Sequence, residues 1–431
     1  MKQLKAILDY SLHHRNILIL LFLFFLHLFF RFYGFEERHG FEWDQVDNAW
    51  AAKNILVDHK LPLVGMVAKQ NSGFYIGPLY YYFVAIFYFF TSLDPVASIY
   101  IAGVTSSITF FTLYIFVKKL FSEQVALVAV FIHTVSTFII LADRTQWPVN
   151  FIAPVSLVLF YSIFRVMTGR EKYILYVAFF LGLAWQLNFT AIFFFIIVLL
   201  TLPFFPRTKK AAIYSLISLP LLFLFLLPNV LYDLQNRGTS SKSLTTYLEQ
   251  YYHGFHVTRM IQLAKDAFIE FAGIFDYPMI KELRYLLVPV FFLLYLLKSM
   301  SREKLLLCYL IAIWFLVPWG VFTVYKGEIS NYYFSLTRPI TLMMLGYITI
   351  WLYQRKQIVT KAAVFLIWGV YSIVNINSFF RPTHKSLFFH RMNVEERISR
   401  GQIIEFAPND PESYIYYVST EYAKNEKLSS Q

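Results

Sequence analysis

The residues best equipped for chemistry lie in one stretch, Phe41-Glu42-Trp43-Asp44-Gln45-Val46-Asp47-Asn48-Ala49-Trp50, where three carboxylates fall within six residues. On a helix, Asp44 and Asp47 are three apart and share a face. Carboxylates so paired ligate a divalent cation through hard oxygens or act as a general base. The same residues also suit a plain helix start, with Asp44 as N-cap and Asp47 in the first turn, where the helix dipole favours negative charge. Spacing alone leaves both readings open.

Other stretches add polar groups. Gly73-Phe74-Tyr75-Ile76-Gly77-Pro78-Leu79-Tyr80-Tyr81-Tyr82-Phe83 joins a Gly/Pro turn to an aromatic helix. Tyrosine clusters favour the headgroup level of a membrane, and the same rings suit stacking on a lipid or a sugar. Asp143-Arg144-Thr145-Gln146-Trp147-Pro148-Val149-Asn150 supplies an arginine suited to bidentate phosphate binding, or to a salt bridge with Asp143 or lipid headgroups. Lys326, Glu328, Asn331, Tyr332 and Arg338 form a further polar set, which interfacial snorkelling also explains. His253 and His256 have no ligand set around them, and the single Cys308 excludes both a disulfide framework and a cysteine metal site.

The elements that must position these groups follow from composition. The 431 residues are 58% hydrophobic and 15% charged, against about 25% charged in a soluble domain. A water-soluble globule and a disordered chain are both excluded. Apolar runs lie at 16–30, 97–117, 124–141, 151–167, 173–187, 190–205, 212–231, 284–299, 304–323, 335–353 and 361–379. That predicts about eleven spans of roughly 20 residues. The run 78–91 either spans or lies in the interface, and charge decides. With it in the interface and the N-terminus inside, Lys118, Lys119, Arg165, Arg170, Arg207, Lys209, Arg302, Lys304, Arg355 and Lys356 all fall in inner loops. With it spanning, all would face out.

This topology leaves 31–95, 142–150, 232–283 and a polar tail, 381–431, on the outer side. The tail is expected to be a small folded cap or a frayed end. Within 232–283, Val257, Met260, Ile261, Ala264, Phe268, Phe271 and Phe275 recur at helical spacing, predicting an amphipathic surface helix. The net charge of +12 serves topology, with no nucleic-acid signature. The spans hold few ionisable residues beyond His27, His133 and Arg338, whereas ion-coupled transporters carry charge at mid-membrane. Chemistry concentrated in outer loops favours an enzyme at the membrane surface.

At these residues the chain resembles the GT-C superfamily of membrane glycosyltransferases, in particular the bacterial branch related to protein O-mannosyltransferases and aminoarabinose transferases. Trp43-Asp44-Gln45 through Asn48-Ala49 to Ala52 resembles the family pattern W-D-E-x-x-Y-A-x-x-A. Gly77-Pro78-Leu79-Tyr80-Tyr81 resembles a K-P-P-L-Y-Y segment, and Asp143-Arg144 to Asn150 partly matches S-R-x-x-x-x-D. The likeness runs over residues 10–240. It departs at Asn150, one residue out of register where a second acid is usual, at Ile76 in place of a lysine, and at Tyr75 in place of an acid.

The resemblance implies an all-α polytopic fold in the plasma (inner) membrane, residues 1–380 forming the transmembrane domain, with the N-terminus cytoplasmic. It also implies transfer of a sugar from a polyprenyl-phosphate carrier to an acceptor (a glycan, lipid or protein) on the outer side. On that basis Asp44 is expected as the base or the ligand of an assisting divalent cation, and Asp47 or Glu42 as its orienting partner. Arg144 and Arg338 are expected on the leaving phosphate, with Tyr80, Tyr81 and Asn150 on the substrate. The competing readings are a carrier or flippase for lipid-linked sugars, with a through-going cavity, and a non-catalytic envelope scaffold.

Overall fold

The computed structural model describes residues 15–69, 72–252, 254–266, 273–275, 283–297, 299–381 and 386–424. Eighteen α-helices organise them. α1 (Arg15–Phe32) is followed by two helices of the segment 31–95, α2 (Trp43–Leu56) and α3 (Leu79–Phe90). Then come α4 (Ala97–Leu120), α5 (Glu123–Val135), α6 (Thr137–Asp143), α7 (Ile152–Met167), α8 (Tyr173–Leu187), α9 (Ile192–Thr201) and α10 (Lys209–Gln235). The segment 232–283 carries α11 (Thr239–Tyr251) and α12 (Val257–Asp266). α13 (Leu283–Leu296), α14 (Arg302–Thr323), α15 (Arg338–Tyr353) and α16 (Ile358–Phe379) complete the apolar body. α17 (Leu387–Ser399) and α18 (Pro411–Tyr417) follow.

Every apolar run of the sequence carries a helix. Among the described residues six helices are long and apolar enough to cross a membrane, or seven with the α5–α6 pair counted as one bent span. The others are shorter than the expected span. α3 has 12 residues and measures roughly 18 Å at 1.5 Å per residue, too short for a hydrocarbon core of about 30 Å. It packs against α2 and α4. The span of α7 is 72% buried and that of α14 61%, whereas those of α10 and α16 are 11% and 17% buried. The bundle therefore has α7 and α14 at its centre and α10 and α16 on its apolar exterior.

The helix ends sort by charge. The start of α1 meets the end of α4 and the start of α5 where Asn16 and Lys118 both bond Glu123, at 3.0 and 2.9 Å. Lys119 and Arg165 stack on Tyr161, and Arg207 and Arg302 flank one shallow cavity. These basic ends lie together. α2, α3, α17 and α18 sit at the other end of α1 and α4.

A helix forms at Val257–Asp266 within the expected stripe, with Leu263 buried and Val257 and Ile261 exposed. Phe268 and Phe271 of that stripe, and His253, lie outside the described residues.

The tail residues 386–424 are folded. Leu387 donates its N–H to the His39 carbonyl at 2.8 Å, and Arg391 pairs with Glu36 at 3.0 Å and with Asp94. Tyr414 is fully buried beside Phe41 and Trp50, at 5.9 and 5.0 Å between ring centroids, and its hydroxyl donates to the Leu93 carbonyl at 2.9 Å. Tyr414→Ala should therefore loosen this cap by about 3–5 kcal/mol, the cost of emptying a buried aromatic site. Limited proteolysis in detergent reads it as accelerated cleavage after residue 380; an unchanged digestion pattern contradicts the docking.

Candidate functional site

The acidic stretch forms the first turns of α2. Glu42, not Asp44, is the N-cap: its N–H donates to Gln45 Oε1 at 3.0 Å, the reciprocal arm of a capping box. Asp44 is then the second helical residue, and the exposed Glu42 takes no part in orienting it. Gln45 is buried and its amide donates to the Gln146 carbonyl at 2.9 Å, fixing α2 to the loop after α6. The three-residue spacing brings Asp44 and Asp47 to one cavity of about 610 Å³, whose walls include Met66, Trp147, Asn188 and Tyr332.

Both carboxyls are raised in pKa. Asp44 is pushed up to about 6, chiefly by burial and then by the charge of Asp47, against a hydrogen bond from Trp147. Burial also raises Asp47, while the Tyr81 hydroxyl, donating to Oδ2 at 2.6 Å, opposes the rise. Such a pair holds one proton more readily than two separate carboxylates would. Among the described residues no three His, Cys, Asp or Glu side chains stand close enough to hold a metal ion.

The floor of the cavity is a short backbone ladder. Gly65 N–H donates to the Ile76 carbonyl, Ile76 N–H to Met66, and Ala68 N–H to Phe74, at 2.9–3.0 Å. Gly77 then passes against the Gln186 side chain, where a Cβ would stand 2.0 Å from Oε1 and would have to displace that amide. The Gln186 oxygen accepts from Leu79 N–H at 3.2 Å and fixes the entry of α3.

The structure separates the remaining expected site residues from this cavity. Arg144 is buried, and its guanidinium donates to four backbone carbonyls, those of Phe30, Arg31, Gly34 and Arg38, at 2.8–3.3 Å. The His39 ring, whose Nδ1 faces the Phe35 carbonyl at 2.6 Å, stands 2.9 Å from Nη2. Asp143 pairs with Arg31, at 2.6 Å, instead of with its neighbour Arg144. Arg338 is buried at the start of α15, 5.4 Å over the Phe138 ring, and does not line the Asp44 cavity. Asn150 closes the end of α6 by donating to the carbonyls of Ala142 and Thr145 at 2.9 and 2.7 Å. Tyr80 is 2% exposed and accepts from Gln146 at 2.8 Å, so it supports the wall from behind.

One cation escaped the sequence reading. Lys69 donates to the Tyr325 hydroxyl at 2.8 Å and lies 5.3 and 5.4 Å over the Tyr251 and Tyr325 rings. It edges an apolar chamber of about 250 Å³ that includes Phe74, Trp185, Phe189 and Phe193, and that shares Ala68 and Asn188 with the Asp44 cavity. Lys69 directly follows Ala68, the last residue of the ladder, and its only sequence signal is a lysine a few residues before Gly77-Pro78.

Residues 76–232 match the family model of the dolichyl-phosphate-mannose-protein mannosyltransferases. Over 96% of its length the chain is similar in fold to ArnT from Cupriavidus metallidurans, solved bound to undecaprenyl phosphate, with a TM-score of 0.56 and 10% identity. The chain shares its fold with ArnT, and its residues 76–232 resemble that mannosyltransferase family. It covers 75% of that ArnT chain. It is also similar to the archaeal oligosaccharyltransferase AglB from Archaeoglobus fulgidus, solved with an inhibitory peptide and a dolichol-phosphate, with a TM-score of 0.56 and 11% identity. That likeness covers 93% of this chain and 61% of AglB. No curated protein matches the chain. The family match takes in Tyr80, Tyr81, Arg144 and Asn150, while Asp44 and Asp47 lie ahead of it.

The bonding of Arg144 to four backbone carbonyls makes a direct prediction. Arg144→Met should cost at least about 3 kcal/mol, because each buried carbonyl left without a donor costs about 1–3 kcal/mol. The thermal midpoint in detergent reads it. A variant with an unchanged midpoint and a selective loss of carrier affinity would return Arg144 to the phosphate.

Proposed function

We propose that this chain transfers a sugar from a polyprenyl-phosphate carrier to an acceptor at the outer face of the plasma membrane. The observation that carries this is the contact between two unlike cavities: a carboxylate-lined one at Asp44 and Asp47, and an apolar one edged by Lys69. An amphipathic donor needs both, an apolar wall for its chain and polar groups at the headgroup. The carriers bound by ArnT and AglB, undecaprenyl phosphate and dolichol-phosphate, are of this chemistry. The outer-face orientation rests on charge, since the basic helix ends gather away from α2 and Lys and Arg favour the cytoplasmic side.

In the proposed step the acceptor oxygen attacks the anomeric carbon, and the bond from that carbon to the phosphate oxygen breaks. The electron pair leaves on polyprenyl phosphate, whose new charge Lys69 stabilises as a fixed cation in a partly dry site. The acceptor hydroxyl gives its proton to Asp44. A carboxyl near pKa 6 is a stronger base than an ordinary aspartate and is still mostly ionised at neutral pH.

The test is sugar release in nanodiscs from labelled polyprenyl-phosphate sugars, with and without a chelator. Wild type should release from one donor, and Asp44→Asn should lower turnover by roughly 10²–10⁴-fold, the usual contribution of a general base. Turnover within a few-fold of wild type removes Asp44 from the step. Loss of activity with the chelator would assign Asp44 to a cation instead.

The pH dependence has a definite sign. The base is the ionised form, so kcat/KM should fall as pH drops through about 6 and stay level above it. The residual rate of Asp44→Asn should lack that limb; a limb that persists in the variant belongs to another group. Lys69→Met should raise the donor KM about tenfold to a hundredfold, from one lost charge-assisted hydrogen bond of about 1.5–3 kcal/mol. An unchanged donor KM puts the phosphate elsewhere.

A further inference from the structure

Asp47 is the wall of two cavities. On the side away from the apolar chamber it borders a second space of about 480 Å³, lined by Trp50, Asn54, Lys60, Tyr81, Phe406 and Pro408. This space shares no residue with the apolar chamber. Its walls come from α2, from the segment just after it, and from the connection between α17 and α18.

The lining has a definite chemistry. Phe406 is 70% exposed, yet its ring sits 5.1 Å from that of Trp50 at an interplanar angle of 71°. An aromatic ring held this open, against a second ring, offers a flat apolar face to a ligand. The polar groups around it are few and of mixed type. The Asn54 amide is exposed and makes no hydrogen bond among the described residues, and Lys60 is 74% exposed, 3.7 Å from Asp58. Lys53 is already committed to Asp58, at 2.9 and 3.0 Å from its two oxygens. Asp47 closes the inner end, holding the Tyr81 hydroxyl.

Aromatic faces with an amide, an ammonium and a carboxylate at their margins suit a ring that is apolar on one face and hydroxylated at its edge. Lys53 and Lys60 balance Asp58 and Asp47, so the cavity does not call for a charged ligand. A peptide strand would need an open row of backbone donors and acceptors, and the helix side that lines this space has none. A lipid tail would need an apolar groove leading in, and the apolar chamber does not connect.

We propose that this second cavity is the acceptor subsite and that the acceptor is a saccharide, stacked on Phe406 and Trp50 and presenting one hydroxyl past Asp47. The assignment rests on the glycosyltransferase reading for its role as acceptor, but saccharide binding itself does not.

Saturation-transfer NMR on the full chain in nanodiscs tests it, with methyl glycosides of glucose, mannose, galactose and N-acetylglucosamine as probes and no donor present. At least one probe should bind wild type, and binding should weaken roughly tenfold in Phe406→Ser and in Asn54→Ala. Phe406→Trp should keep it. The thermal midpoint of each variant in detergent is measured beside the binding and should stay at the wild-type value, which separates lost binding from lost folding. If no probe binds, or binding ignores Phe406 and Asn54, the subsite assignment is overturned while donor release stands by itself. If probes bind through Phe406 and no donor is turned over by wild type, the glycosyltransferase reading fails and the saccharide site stands.

Discussion

The end of this bundle that carries α2 depends on two arginines placed at helix termini. A helix that ends inside a low-dielectric body leaves carbonyls without partners, and each is costly unless a donor reaches it. α1 ends at Phe32 and α5 at Val135, where the chain turns by 73° into α6. Arg31, at the end of α1, donates to the carbonyls of His133 and Thr134 in the last turn of α5, at 2.8 and 2.9 Å. Arg144, at the end of α6, returns the favour to the carbonyls of Phe30 and Arg31 in the last turn of α1. Asp143 neutralises Arg31. Arg31 thus completes α5, Arg144 completes the helix that carries Arg31, and the loop that follows Arg144 is fixed in place. That loop carries Gln146, which receives Gln45, and Trp147, which borders Asp44.

The position of the carboxylate pair follows from that anchor. α2 is too polar to enter the hydrocarbon, with a lysine and two aspartates in 14 residues, and it lies over the bundle's end. Its inner face carries Val46, Ala49 and Ala52, all fully buried, while Asp44 and Asp47 turn toward the cavity. Partial burial raises both carboxyls, the charge of Asp47 adds to the rise at Asp44, and two dissimilar donors oppose it. Tyr81 holds Asp47, and Trp147 touches Asp44. Two aspartates one turn apart therefore differ in environment, and that asymmetry suits one of them to take a proton and the other to hold position.

How much of this was legible in the sequence depends on range. Hydropathy is a local sum, so each apolar run was visible as a helix, and the distribution of lysine and arginine identified the ends that gather together. The paired aspartates were visible from their spacing. The cap was misplaced by two residues because aspartate outranks glutamate as an N-cap, although Glu42 and Gln45 already spelled a capping pair. Arg144 was misjudged for a different reason. Its partners lie more than a hundred residues away in sequence, and an arginine beside an acidic residue in an outer loop looks the same whether it faces a phosphate or a helix end. Lys69 was missed because only the 65–76 ladder brings it to the cavity.

The C-terminal segment is part of the site's construction. Arg391 pairs with Glu36, which follows α1, and with Asp94, which precedes α4, so one guanidinium closes both ends of the segment that holds the acidic pair. Tyr414 fills the space between α2 and the start of α4. The connection between α17 and α18 is then tied down at both sides, and it straddles Asp47. Asn409 reaches the Asp44 cavity, and Phe406 and Pro408 reach the cavity beyond. A displacement of the cap would open both spaces together, because the same short connection walls each of them. The tail's folding and the separation of the two cavities are therefore one structural fact, and the carboxylate between them is its fixed point.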